Sequence, residues 1–550
     1  MGLLDRTLHP DEANQAFTVG RLLETGHYAY RPTDHHGPTL YYAAAPLQKA
    51  FGHADTQSLD ATLLRCTPLL FGALTLFCLA QAVHGIVRFF GKTDGGAGDR
   101  HLPLLAAGAA ALLLGSSPLF AFYATDFIQE TLLACFTAMA LKCAVDYAVA
   151  RQPEDPARPR RLKPGSWALF FGFSAGLCFA TKETCSLAFA AAALATAPFL
   201  AVHLKRNGLR ALAGIVRPND AVLGVLAFFL TSAILFSSFC QDWSGVYNAF
   251  VAAPLSYLHR AAGEAAAGGA DWHVHPWWQY LSWIFLGRPS SCPAEQSPGF
   301  AFAHLHSLLQ WAALLLPLGL YATFGRIRAR MPRALVRTFL GASLYFVVLL
   351  ALYSAIPYKT PWCAVQILLG FVFAVSLGYA VLAKVCLDVL RPRGKSASTG
   401  RQAAVLGICV LAPLLAGVGE HVPGLRMMIA APDSRAIPYN YAHASPEVKA
   451  LAACVDAAMK AAPDPQKAFI AVSLPPEDTW PFPWYNRPWE PKTGYWTKFE
   501  DLVALEKTCA RPTVVVVPMK EGHLVQPLFP HLKNTKRFFI RPGVRARVFW

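Results

Sequence analysis

Long apolar runs alternate with polar connectors along most of the chain, and the runs approach the ~20 residues a helix needs to cross a bilayer. Ten spans are predicted, at about 63–87, 102–122, 127–149, 166–181, 185–204, 219–240, 303–324, 338–357, 363–387 and 402–420. Ahead of them, Pro10 opens a helix that carries Asp11 and Glu12 in its first turn and has Gly26 just past its end. Pro38 opens a second helix running to Gly52. Their partly apolar faces (Ala13, Ala16 and Phe17; Tyr41, Tyr42 and Leu47) predict juxtamembrane helices lying on the bilayer. After the last span the pattern changes. An amphipathic helix is predicted at 446–460, strands at 468–472, 513–517 and 537–540, an edge strand at 492–496 and a helix at 499–507. The predicted architecture is a polytopic α-helical membrane protein of ten or eleven spans with a C-terminal extracytoplasmic α/β domain. It divides into a first exterior segment (1–62), a transmembrane domain (63–420) and the α/β domain (421–550).

Composition agrees: 54% of residues are hydrophobic and 15% charged, against roughly a quarter charged in ordinary globular proteins. Disorder, a collagen-like fibre and a disulfide scaffold are excluded. The net charge of +16 follows topology. Basic residues gather in alternate loops, as at Arg88 to Arg100, Arg151 to Lys163, Lys205 to Arg217, Arg326 to Arg337 and Lys384 to Arg401. The intervening loops carry only Lys182, Arg260, Arg288 and Lys359. The positive-inside rule then puts residues 1–62, the loop 241–302 and the tail outside, and no nucleic-acid partner is implied. The chain starts with neither a signal peptide nor a span, and an upstream helix is expected to complete an eleven-span, N-in topology. Most of the 13 cysteines lie inside apolar runs as small hydrophobes, while Cys454 and Cys509 share the exterior tail and are available to pair.

The unusual chemistry collects at the predicted outer ends of spans: Arg65, Asp126, Glu130, Lys182-Glu183 and Tyr358-Lys359-Thr360-Pro361-Trp362, with Asp11-Glu12 and His35-His36 in the first segment. Ionisable groups there are costly and point to a site, although each alone also reads as a loop charge or a local pair such as Lys182 with Glu183. Cations beside a bilayer suit a lipid phosphate, and a carboxylate suits a hydroxyl that must lose its proton. For Asp11 and Glu12 the plainer reading is complementation of the helix dipole. His9, Asp11, Glu12, His35 and His36 are also candidate ligands for a divalent metal, without a fixed spacing. The aromatics around His275 (Trp272 to Tyr280) and around Trp484 and Tyr485 read as an interfacial belt, a docking plug or the lining of a substrate cleft.

His9-Pro10-Asp11-Glu12-Ala13, His36-Gly37-Pro38-Thr39-Leu40-Tyr41-Tyr42, Lys182-Glu183-Thr184, Tyr358 to Trp362 and Trp480-Pro481-Phe482-Pro483-Trp484-Tyr485 occur in an order that resembles the archaeal-type flippase-activity-associated glycosylation family. That family is related to the protein O-mannosyltransferase-like enzymes of GT-C fold. The resemblance implies transfer of a sugar from a polyprenyl-phosphate donor to a glycan, lipid or protein acceptor at the outer membrane face, with inversion; no cofactor is certain, and a divalent metal stays a candidate. It makes Asp11 the catalytic base with Glu12 beside it, and places a second acidic position near Asp126 or Glu130. Thr125 stands where relatives commonly carry an Arg. Lys182, Lys359 and Arg65 would then hold the donor phosphate, with His35, His36, Glu183, Tyr358, Trp362, His275, Trp484 and Tyr485 lining the site. The alternatives are a lipid-linked-sugar flippase or a non-catalytic partner of one.

Overall fold

The computed structural model describes residues 2–31, 36–91, 101–152, 162–261, 273–287, 307–323, 325, 331–389, 399–434, 436–441, 443–507, 511–541 and 543–550. All ten predicted apolar runs fall on helices. Among the described residues, seven helices are long and apolar enough to cross a membrane by themselves: Ala61–Phe90 (α3), Glu130–Ala150 (α6), Cys185–Asn207 (α8), Pro218–Phe236, Arg333–Ala355, Pro361–Leu387 and Gln402–Ala430. The protein is a multi-pass membrane protein. Pro361–Leu387 is its axis, with 94% of its most apolar stretch buried, whereas Pro218–Phe236 buries 17% and leaves Val222, Phe229 and Leu230 for lipid. The run at 102–122 is two helices, Leu102–Gly115 (α4) and Pro118–Tyr123 (α5), because Pro118 has no N–H to continue the ladder across Ser116 and Ser117. The last span continues to Ala430, so the boundary expected at 421 falls about ten residues later.

The first helix, Pro10–Thr25 (α1), starts on a reciprocal cap. The His9 ring accepts the Asp11 N–H at 3.1 Å, and the Glu12 carboxylate accepts the His9 N–H at 2.9 Å. It ends at Gly26, whose φ of 68° suits glycine. It does not lie on a bilayer surface as expected. Ala13, Ala16, Val19 and Leu22 are buried against Thr39–Ala50 (α2) and the bundle, and a stripe from Asp11 through Asn14 and Phe17 to Arg21 reaches solvent, as does the last turn at Glu24 and Thr25. The polar seam inside is satisfied: Tyr41 donates to the Gln15 amide oxygen at 2.8 Å, and Gln129 exchanges hydrogen bonds with Gln15.

The C-terminal sheet contains Ile470–Ser473 (β1), Thr493–Trp496 (β2), Val514–Pro518 (β3), Thr535–Arg541 (β4) and Val544–Phe549 (β5) in the order β2-β1-β3-β5-β4. Strands β1, β2 and β3 are parallel, and β5 runs antiparallel to β3 and β4. The four predicted strands and both predicted helices (Glu447–Lys460 and Phe499–Lys507) are present. β5 was not expected, because two arginines interrupt its short apolar alternation. This domain clasps α1. Trp484 is buried against Phe17, and the Tyr485 hydroxyl accepts the Leu8 N–H at 2.9 Å. Cys454 is a half-buried free thiol, and Cys509 lies outside the described residues.

Candidate active site

Two ion pairs tie the first segment to the bundle, a third joins the start of α6 to a turn between helices, and all six side chains are nearly or fully buried. Glu12 receives Arg65 in bidentate geometry at 2.8 and 2.5 Å, and also the Phe127 N–H at 2.8 Å. Arg6 pairs with Asp126 and reaches the Thr125 hydroxyl at 3.2 Å, with its guanidinium 4.3 Å above the Phe122 ring. Lys182 pairs with Glu130, from the turn between Pro164–Phe179 (α7) and α8. Burial alone would raise the Glu12 pKa, but the Arg65 charge and hydrogen bonds hold it well below the usual carboxylate range. The Lys182 ammonium is opposed by burial and raised by Glu130.

These pairs redistribute the expected roles. Glu12 has no free acceptor position with which to act as a base. The Arg65 guanidinium is spent on Glu12 and on the carbonyls of Leu4, Arg6 and Thr7, so it is a structural cation rather than a phosphate ligand. Asp126 and Glu130 each face a cation in the interior and do not border the cavity described below. The pairing of Lys182 with neighbouring Glu183 is replaced by pairing with Glu130. Arg6, which no motif or local pattern marks in the sequence, fills the space beside Thr125 with a guanidinium from a distant segment.

Glu183 binds the His36 ring at 2.9 Å and lies within 3.4 Å of the Tyr30 hydroxyl. Burial would raise its pKa, but His36 and the surrounding hydrogen bonds hold it at about 2. Its stabilising contribution is therefore complete above pH 4.5 and lost as pH falls towards 2. Unfolding followed across that window should show Glu183→Gln less acid-sensitive than the parent, and equal slopes would remove the assignment.

Gly37 explains why the His36 and Lys182 motifs occur together. The Gly37 N–H donates to the Thr181 carbonyl at 3.1 Å, and the Thr39 N–H to that of Ala180 at 3.3 Å. A Cβ on Gly37 would lie 2.1 Å from the Ala180 oxygen. Gly37→Ala must push the 180–183 turn away, at about 1–3 kcal/mol of stability measurable by thermal unfolding.

Asp11, His36, Lys182, Glu183, Tyr358 and Trp362 line one cavity of about 150 Å³, together with Thr184, Thr360 and several tyrosines. Asp11 differs from the other carboxylates, since its side chain is 51% exposed. The His9 Nε2–H donates to the Tyr441 carbonyl at 3.0 Å, so Nδ1 carries the lone pair that accepts the Asp11 N–H. His9 thus gives no proton to the Asp11 carboxylate 3.8 Å away, and Asp11 stays open towards the cavity.

Lys359 sits behind the cavity wall. Its ammonium donates to the carbonyls of His275, at 3.3 Å, and Ile356, while its N–H donates to His273 at 2.9 Å. It staples residues 273–275 to residues 356–359. His275 packs against Trp283 and Tyr441 and does not reach the cavity, and Trp484 and Tyr485 belong to the domain clasp. His35 lies outside the described residues. The metal-ligand set does not converge, since Glu12 faces Arg65 and His36 faces Glu183. Among the described residues no three His, Cys, Asp or Glu form a metal-binding group.

The fold is that of a multi-pass membrane protein and is shared with solved structures of GT-C architecture. Its structure is similar over the whole chain to ArnT from Cupriavidus metallidurans bound to undecaprenyl phosphate, with a TM-score of 0.56, 15% identity and 95% of that chain covered. It is also similar to the archaeal oligosaccharyltransferase AglB from Archaeoglobus fulgidus in complex with an inhibitory peptide and a dolichol-phosphate, with a TM-score of 0.50, 12% identity, and 94% and 66% of the two chains covered. No protein-family model and no curated protein matches the sequence.

Proposed function

We propose that this chain is an integral-membrane glycosyltransferase, moving a sugar from a polyprenyl-phosphate-linked donor to an acceptor at the extracytoplasmic face. The observation that carries this reading is the open Asp11 carboxylate on a wall that also holds Lys182, while the neighbouring carboxylates Glu12, Asp126 and Glu130 are neutralised in buried pairs. The undecaprenyl phosphate of ArnT and the dolichol-phosphate of AglB support the donor class. The alternation of basic loops supports an extracytoplasmic cavity and C-terminal domain. The flippase alternative has no comparable observation behind it.

In this mechanism Asp11 accepts the proton of the acceptor hydroxyl as its oxygen attacks the anomeric carbon. The carbon–oxygen bond to the prenyl phosphate breaks, and the departing phosphate takes the electron pair with Lys182 beside it. One displacement inverts the anomeric centre.

Transfer of labelled sugar from a panel of prenyl-phosphate donors by purified protein tests the reading, and inactivity with every donor would overturn it. Lys182→Met is expected to weaken donor use by about ten- to a hundredfold, the loss of one charge-assisted phosphate contact. Because it also strands Glu130, the double variant Lys182→Met/Glu130→Gln serves as the folded control. Unchanged donor dependence in that protein would remove Lys182 from the phosphate.

A further inference from the structure

A second, larger cleft opens where α1 meets the C-terminal domain. Its volume is about 410 Å³, within the range of roughly 300–1,000 Å³ typical of small-molecule sites, whereas the Asp11 cavity is below it. Asn14, Phe17 and Arg21 form one wall, and Trp480, Glu490, Tyr495 and Trp496 the other. The α1 wall is the solvent stripe that begins at Asp11. At 1.5 Å rise per residue, the cleft starts about 5 Å and ends about 15 Å along the helix axis from that carboxylate.

We infer that this cleft binds the acceptor, and that the acceptor is a saccharide chain; the inference rests on the proposed transferase reading. Three observations carry it. The first is a set of aromatic faces held in place. The Trp480 ring meets Phe17 edge-on at 5.7 Å, and the Trp496 indole folds back over Gly494, where a Cβ would lie 2.3 Å from the ring. Such faces match the C–H face of a sugar ring. The second is polarity without internal satisfaction: the indole N–H groups of Trp480 and Trp496 and the Asn14 amide make no side-chain hydrogen bond within the described residues. The third is the mixture of donor and acceptor. Tyr495 donates to one Glu490 oxygen at 2.8 Å, and the exposed Arg21 guanidinium stands on the opposite wall. Hydroxyls that both donate and accept suit that mixture, whereas an acyl chain would leave these polar groups unpaired.

The position gives the cleft a task. A chain seated between the tryptophans, running along the α1 stripe, would bring its terminal hydroxyl to Asp11. The small cavity then needs to admit only the reacting sugar units. The groove would set acceptor length and sugar preference while taking no part in the chemistry.

The test uses the full-length protein in detergent or nanodiscs without donor. Neutral hexasaccharides of gluco, manno, galacto and arabino configuration are titrated against intrinsic tryptophan fluorescence, and unstructured peptides are titrated in parallel. At least one saccharide is expected to bind, and Tyr495→Ala and Trp496→Ala are each expected to weaken it by about tenfold or more. Gly494→Ala, which displaces the Trp496 ring without removing it, should weaken binding in the same direction. Binding of peptides alone, no saccharide binding at millimolar concentration, or binding that ignores all three cleft variants would overturn the assignment. Because binding is read without turnover, failure here is separable from failure of sugar transfer.

Discussion

Asp11→Asn is expected to lower sugar transfer by about a hundredfold or more while leaving donor binding and folding nearly intact. The substitution keeps the size of the side chain and removes its basicity. The His9–Glu12 reciprocal cap does not use the Asp11 carboxylate, since it rests on the Asp11 backbone N–H and the Glu12 side chain. If Asp11 served only the helix dipole, the loss would be at most ~1 kcal/mol of stability, with no effect on rate. Turnover and thermal unfolding measured on the same preparation separate the two roles. Full activity in a well-folded Asp11→Asn protein would refute the assignment of the base.

Glu12→Gln should behave in the opposite way. It removes the counter-charge from Arg65, whose side chain is 1% exposed, and leaves a buried cation facing neutral groups. Stranding one member of a buried pair costs about 3–5 kcal/mol, enough to unfold a marginal domain. The expected result is a large fall in unfolding temperature or loss of soluble protein. Glu12→Gln/Arg65→Met should recover part of that loss, because both charges leave together. The Glu12 carboxyl is held down in the folded state, so its contribution is complete above its ordinary value of 4.5 and lost on acidification below it. A stable, active Glu12→Gln protein would show that the ion pair does not hold α1 in place.

Local signals in the sequence were enough for the layout. Apolar period, proline and glycine placed α1, α2 and the membrane helices, and the continuous Val514–Val517 run announced a buried strand. β5 escaped because Arg545 and Arg547 alternate with only a few apolar residues. The site was half legible. The residues crowded at span ends were visible, but their pairing was not, because the partners lie far apart in the chain: Arg6 with Asp126, Glu12 with Arg65, Lys182 with Glu130. Proximity in sequence favoured Lys182 with Glu183, while packing gave each a different partner. A useful signal was present in the count, since Arg65 and Lys182, if buried, each required a carboxylate from elsewhere. Trp484 and Tyr485 showed a related ambiguity, in that an aromatic, proline-rich run looks the same whether it receives a ligand or another part of the chain.

The clasp on α1 sets a timetable for biosynthesis. Arg6 must wait for Asp126, 120 residues later, and the Leu8 N–H for Tyr485, 477 residues later. At about 5–20 residues per second those intervals are on the order of ten seconds and of one minute. Helix α1 therefore spends most of synthesis without its final partners, and a chain interrupted before residue 485 should insert its spans yet leave α1 unclasped. On the proposed transferase reading, the Asp11 cavity would then be completed only with the end of translation.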